Sequence, residues 1–91
     1  MDKQAQIIVK GKVQGVFFRD FTQENATKLR LTGWVRNLSD GNVEVLVEGE
    51  EGEILKLIER LKIGPTTAQV KEVTVKWRTS SNAFNNFSIR W

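Results

Sequence analysis

The 91-residue chain contains no cysteine and no histidine. Without cysteine there is no disulfide, no thiolate nucleophile and no Cys-ligated zinc. Without histidine the usual general base and metal ligand are gone, and with them every Ser-His or Cys-His catalytic arrangement. Any catalysis must use arginine, lysine, carboxylates, amides, hydroxyls or the backbone. Long apolar runs are missing too, and nothing approaches the ~20 residues of a membrane span. The opening Met1-Asp2-Lys3-Gln4 lacks the apolar stretch of a secretory signal. The expectation is a reducing, cytoplasmic setting with no membrane partner. Pro65 is the single proline, and no Pro/Gly-rich linker divides the chain. Charge of one sign is scarce as well. The net charge of +3 is spread over both halves without a Lys/Arg cluster. That is a mild preference for anions and not a nucleic-acid footprint.

What remains is an ordinary globular mixture, 40% apolar and 27% charged, which argues against disorder. At this length the chain reads as one domain over residues 1–91. No exposed apolar stripe demands a partner, so a monomer is expected.

Hydrophobic spacing supplies the elements. Ala5, Ile7, Val9, Gly11 and Val13 alternate with mostly polar neighbours, the period of a half-buried strand. Phe18, Phe21, Thr22, Asn25, Ala26 and Leu29 fall at helical spacing, with Gly33 a natural stop. Trp34 to Leu38 is β-prone, Ser39-Asp40-Gly41-Asn42 is a turn, and Val43, Val45 and Val47 form the returning strand. Ile54, Leu55, Leu57, Ile58 and Leu61 make a second helical stripe, stopped at Gly64-Pro65. Val73, Val75 and Trp77 share a strand face, and Phe87, Ile89 and Trp91 alternate in a short final strand. Glu44, Glu48 and Glu50 to Glu53 are spaced poorly for a calcium loop and read as a solvated edge plus a helix start. The order is βαββαβ with a short extra C-terminal strand. This is the α+β, ferredoxin-like split βαβ sandwich: an antiparallel sheet covered by two helices on one face.

Two segments carry possible chemistry. Gly11-Lys12-Val13-Gln14-Gly15-Val16-Phe17-Phe18-Arg19 runs from a strand end to a helix start. Gly15 lets backbone N–H groups converge, the helix start adds partial positive charge, and Arg19 adds a planar fork matched to a phosphate edge. The segment is neither a Walker loop nor a Gly-x-Gly-x-x-Gly turn. Two readings stay open: a tight β–α connection that serves only the fold, or a phosphate cradle. In the second segment, Gly33 to Glu44, Asn37 stands near a strand end where asparagine is depleted. It is either a turn-former ahead of Asp40-Gly41 or a neutral amide able to hold a water. Trp34 either lines the site entrance or packs on the sheet face. Asp20 suits the positive helix start, and Asp40 suits the turn. Lys10 and Lys12 either attract an anion or are solvated strand lysines. The Trp91 carboxylate reaches Arg19 if the last strand runs beside the first.

These segments resemble the acylphosphatase family along essentially the full chain. Gly11-x-Val13-Gln14-Gly15-Val16-x-Phe18-Arg19 matches its loop without departure. Gly33-Trp34-Val35-x-Asn37-x-x-x-Gly41-x-Val43 followed by Gly49 matches its second hallmark. Gly64-Pro65, Ala68, Val70, Phe87-x-Ile89-Arg90 and the aromatic Trp91 also fit. The resemblance implies a hydrolase acting on an acid anhydride: an acyl phosphate yields a carboxylate and inorganic phosphate, without metal or cofactor. By that match Gln14, Gly15, Val16, Phe17, Phe18 and Arg19 form the phosphate-binding loop, Arg19 binds the phosphate and Asn37 orients the attacking water. Phosphate or sulfate would compete. Leu38 is apolar where a hydroxyl residue can follow the asparagine in relatives. An RNA-binding reading of the same fold needs stacking aromatics on the central strands, and these strands show Ile7, Val9, Val43 and Val45 instead. A noncatalytic anion-sensing domain is the third reading, opposed by intact Arg19 and Asn37.

Overall fold

The computed structural model describes residues 2–91. In chain order the elements are β1 (Asp2–Lys12), α1 (Phe18–Lys28), β2 (Thr32–Asn37), β3 (Val43–Glu50), α2 (Glu51–Ile63), β4 (Gln69–Thr79) and β5 (Phe87–Arg90). They form one five-stranded sheet in the order β4-β1-β3-β2-β5. Alternation along the strands sends Ala5, Ile7, Val9, Val35, Val43, Val45 and Val47 to one face, where all are fully buried. Both helices cover that face. α1 lies over β2 and β5, and α2 over β1, β3 and β4. Phe18 and Ala26 of α1 and Ile54, Leu57 and Leu61 of α2 close the core. Each fully buried Val, Leu, Ile or Phe contributes ~1.5–3 kcal/mol.

The expectation of a wholly antiparallel sheet needs one correction. β1–β3, β1–β4 and β2–β3 are antiparallel, but β5 lies parallel to β2, with Gly33 opposite Phe87 and Arg36 opposite Arg90. The last strand therefore runs beside the second and not the first. The cause is the connection 80–86, which carries the chain from the β4 edge to the opposite edge of the sheet. Glu48 of β3 fastens it, accepting hydrogen bonds from Ser81 N at 2.7 Å, Ser81 Oγ at 2.6 Å and Asn82 N at 3.1 Å. Glu44 and Glu48 are thus buried acceptors and not part of a solvated edge. Because β1, β2 and β5 all point the same way, their C-terminal ends share one end of the sheet.

The end of α1 also differs from the sequence reading. The helix stops at Lys28, and Arg30 takes the left-handed conformation at φ 58°. Leu31 N donates to Ala26 O at 2.9 Å and Arg30 N to Thr27 O at 3.0 Å, a Schellman closure with arginine where glycine is usual. Gly33 lies inside β2 instead, where a Cβ would collide with the Leu46 carbonyl of β3. Trp34 packs on the open sheet face, 9% exposed. The Arg90 and Arg36 guanidinium groups cover its ring at 4.6 and 5.1 Å.

Candidate active site

The site lies where β1, β2 and β5 end. Loop 13–17 leaves β1 and turns on two left-handed residues, Gly15 at φ 71° and Phe17 at φ 61°. Such a turn brings neighbouring backbone N–H groups toward one point. Gly15 adopts it freely, whereas Phe17 is strained by ~1–2 kcal/mol. Phe17 is also the N-cap position of α1, and no side chain caps the helix there. The first helical N–H groups thus remain available to an anion.

Packing and hydrogen bonds fix the loop from two sides. Val16 and Phe18 are buried in the core, and the Val16 carbonyl accepts from Thr67 Oγ1 at 3.1 Å. Gln14 Nε2 donates to the carbonyls of Leu38 at 2.7 Å and Asn42 at 2.8 Å. The Gln14 side chain therefore ties the loop to the β2–β3 turn. Within that turn Asp40 accepts from Asn42 N at 3.0 Å and Asn42 Nδ2 at 3.1 Å, the turn role expected of it.

Arg19 stands in the first turn of α1, half-buried. Its Nη1 donates to the Arg90 carbonyl at 3.3 Å, and its guanidinium carbon lies 4.0 Å from the centre of the Trp91 ring. The contact from Trp91 is made by the indole. Asn37 is the last residue of β2, opposite Val43. Its carboxamide oxygen is buried and has no hydrogen-bond partner among the described residues. An unpaired buried acceptor costs ~1–3 kcal/mol, so a group kept in that state is a candidate for function.

A cleft of about 270 Å³ collects these groups. Of the residues singled out in the sequence, Gly15, Phe17, Phe18, Arg19 and Asn37 line it together, whereas the side chains of Gln14 and Val16 are held elsewhere. Val13, Asp20, Ile89 and Trp91 complete the lining. Sequence reasoning left Ile89 out of the site. Its alternation with Phe87 and Trp91 was visible, but the direction of β5 was not. Lys10 pairs with Glu72 at 3.6 Å on the exposed surface, away from the cleft. Among the described residues no group of three Asp or Glu side chains is placed to hold a metal ion, and no helix is long and apolar enough to cross a membrane.

Comparison with known proteins places this geometry. The acylphosphatase family model matches residues 5–89. An acylphosphatase of Dehalococcoides mccartyi strain CBDB1 is 46% identical over 84 residues, 91% of this chain and 92% of that one. An acylphosphatase of Salinibacter ruber is 44% identical over 89 residues, 98% of this chain and 94% of its own. The crystal structure of acylphosphatase from Bacillus subtilis has the same fold, with a TM-score of 0.95 and 42% identity, each chain covered to 100%. The match runs through both the loop that carries Arg19 and the strand that carries Asn37, and on it the chain belongs to the acylphosphatase family.

Proposed function

We propose that this protein hydrolyses the carboxyl–phosphate bond of small acyl phosphates to a carboxylate and inorganic phosphate, without metal or cofactor. One observation carries the reading: Arg19 and the unpaired Asn37 carboxamide share a cleft with a doubly left-handed loop and an uncapped helix start.

An acyl phosphate is a mixed anhydride. Its leaving carboxylate has a conjugate acid of pKa about 4 and departs at neutral pH without a proton. A general acid is dispensable, which suits a chain without histidine. A loose transition state keeps its charge on the phosphoryl oxygens, so the protein must position and neutralise. The amides of residues 15–19 and the Arg19 guanidinium supply donors, each well-placed one worth ~3–4 kcal/mol. Asn37 is no base. Its Oδ1 accepts one hydrogen of a water and turns that water's lone pair toward phosphorus. As the water oxygen bonds to phosphorus, the bridging P–O bond breaks and its electron pair leaves with the carboxylate. The water's proton passes to a phosphoryl oxygen.

Loss of benzoyl phosphate, followed by ultraviolet absorbance with and without a chelator, tests this. Hydrolysis unaffected by the chelator is expected. Arg19→Gln is expected to lower kcat/KM by about a thousandfold or more and to weaken inhibition by phosphate or sulfate, with the fold intact. A variant that hydrolyses benzoyl phosphate at the parent rate removes Arg19 from the site, and chelator-sensitive activity refutes the metal-free reading.

A further inference from the structure

We propose that Phe17 and Trp91 form an apolar platform for the acyl group, so that the site prefers aromatic or otherwise apolar acyl phosphates over small polar ones. This rests on the acyl phosphate reading above.

Phe17 and Trp91 are the most exposed aromatic residues among those described, at 77% and 93%, and both line the one cleft that holds Arg19 and Asn37. Neither ring is explained by the core. Phe17 is more telling still, because the loop keeps a bulky aromatic in a left-handed conformation that glycine would adopt without strain. A strained residue whose ring stays largely exposed on the cleft is placed to meet a ligand. Trp91 is fixed from one side by the Arg19 guanidinium, which sets the ring beside the phosphate-binding group and leaves the rest of it open. Ile89, half-buried, adds apolar surface to the same cleft. The cleft's volume of about 270 Å³ leaves room beside a bound phosphate for a substituent. With the phosphate held by the loop and Arg19, the acyl carbon lies one bond beyond the bridging oxygen, and its substituent continues toward the rim. Asp20, also on the cleft, disfavours an acyl group that carries a second negative charge.

The test compares kcat/KM for benzoyl phosphate and acetyl phosphate in the parent, Phe17→Ala and Trp91→Ala. The ratio of the two substrates cancels any loss that they share through the loop. Both variants are expected to lower the benzoyl-to-acetyl ratio by about tenfold, the size of a lost aromatic contact with its buried area. A ratio unchanged in either variant overturns the two-ring platform. If the parent hydrolyses neither substrate, the hydrolase reading fails by itself. The platform is then decided by binding: benzylphosphonate must displace inorganic phosphate more tightly than methylphosphonate does, and the advantage must vanish in Phe17→Ala. Equal affinities of the two phosphonates overturn it.

Discussion

Gln14 donates through Nε2 to the Leu38 carbonyl at 2.7 Å, one residue beyond Asn37. The same nitrogen donates to the Asn42 carbonyl at 2.8 Å, on the other side of the β2–β3 turn. One carboxamide therefore spans the two halves of the cleft, the loop 13–17 and the turn that follows Asn37. Its contribution is registration of one half against the other.

Gln14→Met keeps the length of the side chain and removes both hydrogen bonds. Misplacement on the order of 1 Å can cost up to a hundredfold in rate, so kcat is expected to fall about ten- to a hundredfold. The inhibition constant of inorganic phosphate, which reads the loop and Arg19, is expected to move less. The deciding measurement is a double-mutant cycle with Asn37→Ala. If Gln14 acts through Asn37, its effect on kcat disappears in the Asn37→Ala background. Equal losses in both backgrounds would show a general structural role.

Asn37 carries a buried oxygen that has no hydrogen-bond partner among the described residues. Removing that oxygen relieves a desolvation cost while deleting the group proposed to orient water. Asn37→Ala is therefore expected to lower kcat by about a hundred- to a thousandfold, with phosphate inhibition nearly kept and Tm equal to or above the parent. Turnover, phosphate inhibition and a melting curve decide it together. A variant that melts earlier and loses phosphate affinity in step with kcat marks Asn37 as a turn residue.

The order of elements and the two apolar helix stripes were legible because periods of two and 3.6 are local signals. So was the turn after β1, since Gly15 marks a left-handed position by residue type, although residue type alone left the chemistry of Arg19 open. The direction of β5 was not legible. Four residues alternate identically whether they run up or down, and the connection that sets the direction is held through Ser81 and Asn82 by Glu48, 39 residues before Phe87. That choice matters to the site because only a β5 parallel to β2 brings Trp91 to Arg19. Arg30 in the left-handed position of the α1 end was hidden for a related reason. The signal for that position is glycine, and Gly33 three residues on drew the reading, although it serves a close approach of β3 instead. The Gln14 tether depends on a contact 24 residues away, beyond any local pattern.

Gly15 offers a clean separation of strain from crowding. At φ 71° it is left-handed, yet a Cβ built there meets nothing within 4 Å. Substitution therefore acts through backbone conformation alone. Asparagine tolerates this region and valine does not, because branching at Cβ stiffens the residue against it. Gly15→Asn is expected to keep most of the affinity for inorganic phosphate. Gly15→Val is expected to lose it along with kcat/KM, with Arg19 present but the amides misdirected. Calorimetric titration of phosphate into both variants checks the ranking. Equal affinities would mean that the amides of the loop do not bind the anion.

Acid sensitivity should originate in Glu48, far from the cleft. This carboxylate is 2% exposed. Burial by itself pushes its pKa up, but hydrogen bonds from the Ser81 side chain and backbone, from Gln4 and from Ser80 outweigh burial and hold it below the ordinary 4.5. The folded state thus holds its proton less tightly than the unfolded state does. The resulting stability is fully present above the unfolded pKa and is lost as pH falls through the lowered folded value. Tm is expected to decline below about pH 4.5. Glu48→Gln lacks this titration, so it is expected to start from a lower Tm at neutral pH, and the gap to the parent to narrow as acid is added. The bonds being lost hold the connection 80–86, so hydrogen exchange in β5 should quicken in the parent over the same acid range. Since β5 supplies the Arg90 carbonyl to Arg19 and carries the Trp91 ring just beyond its end, phosphate affinity should weaken in step with that exchange. Melting curves for the two proteins that stay parallel down to pH 3 would show that Glu48 is not the group that responds.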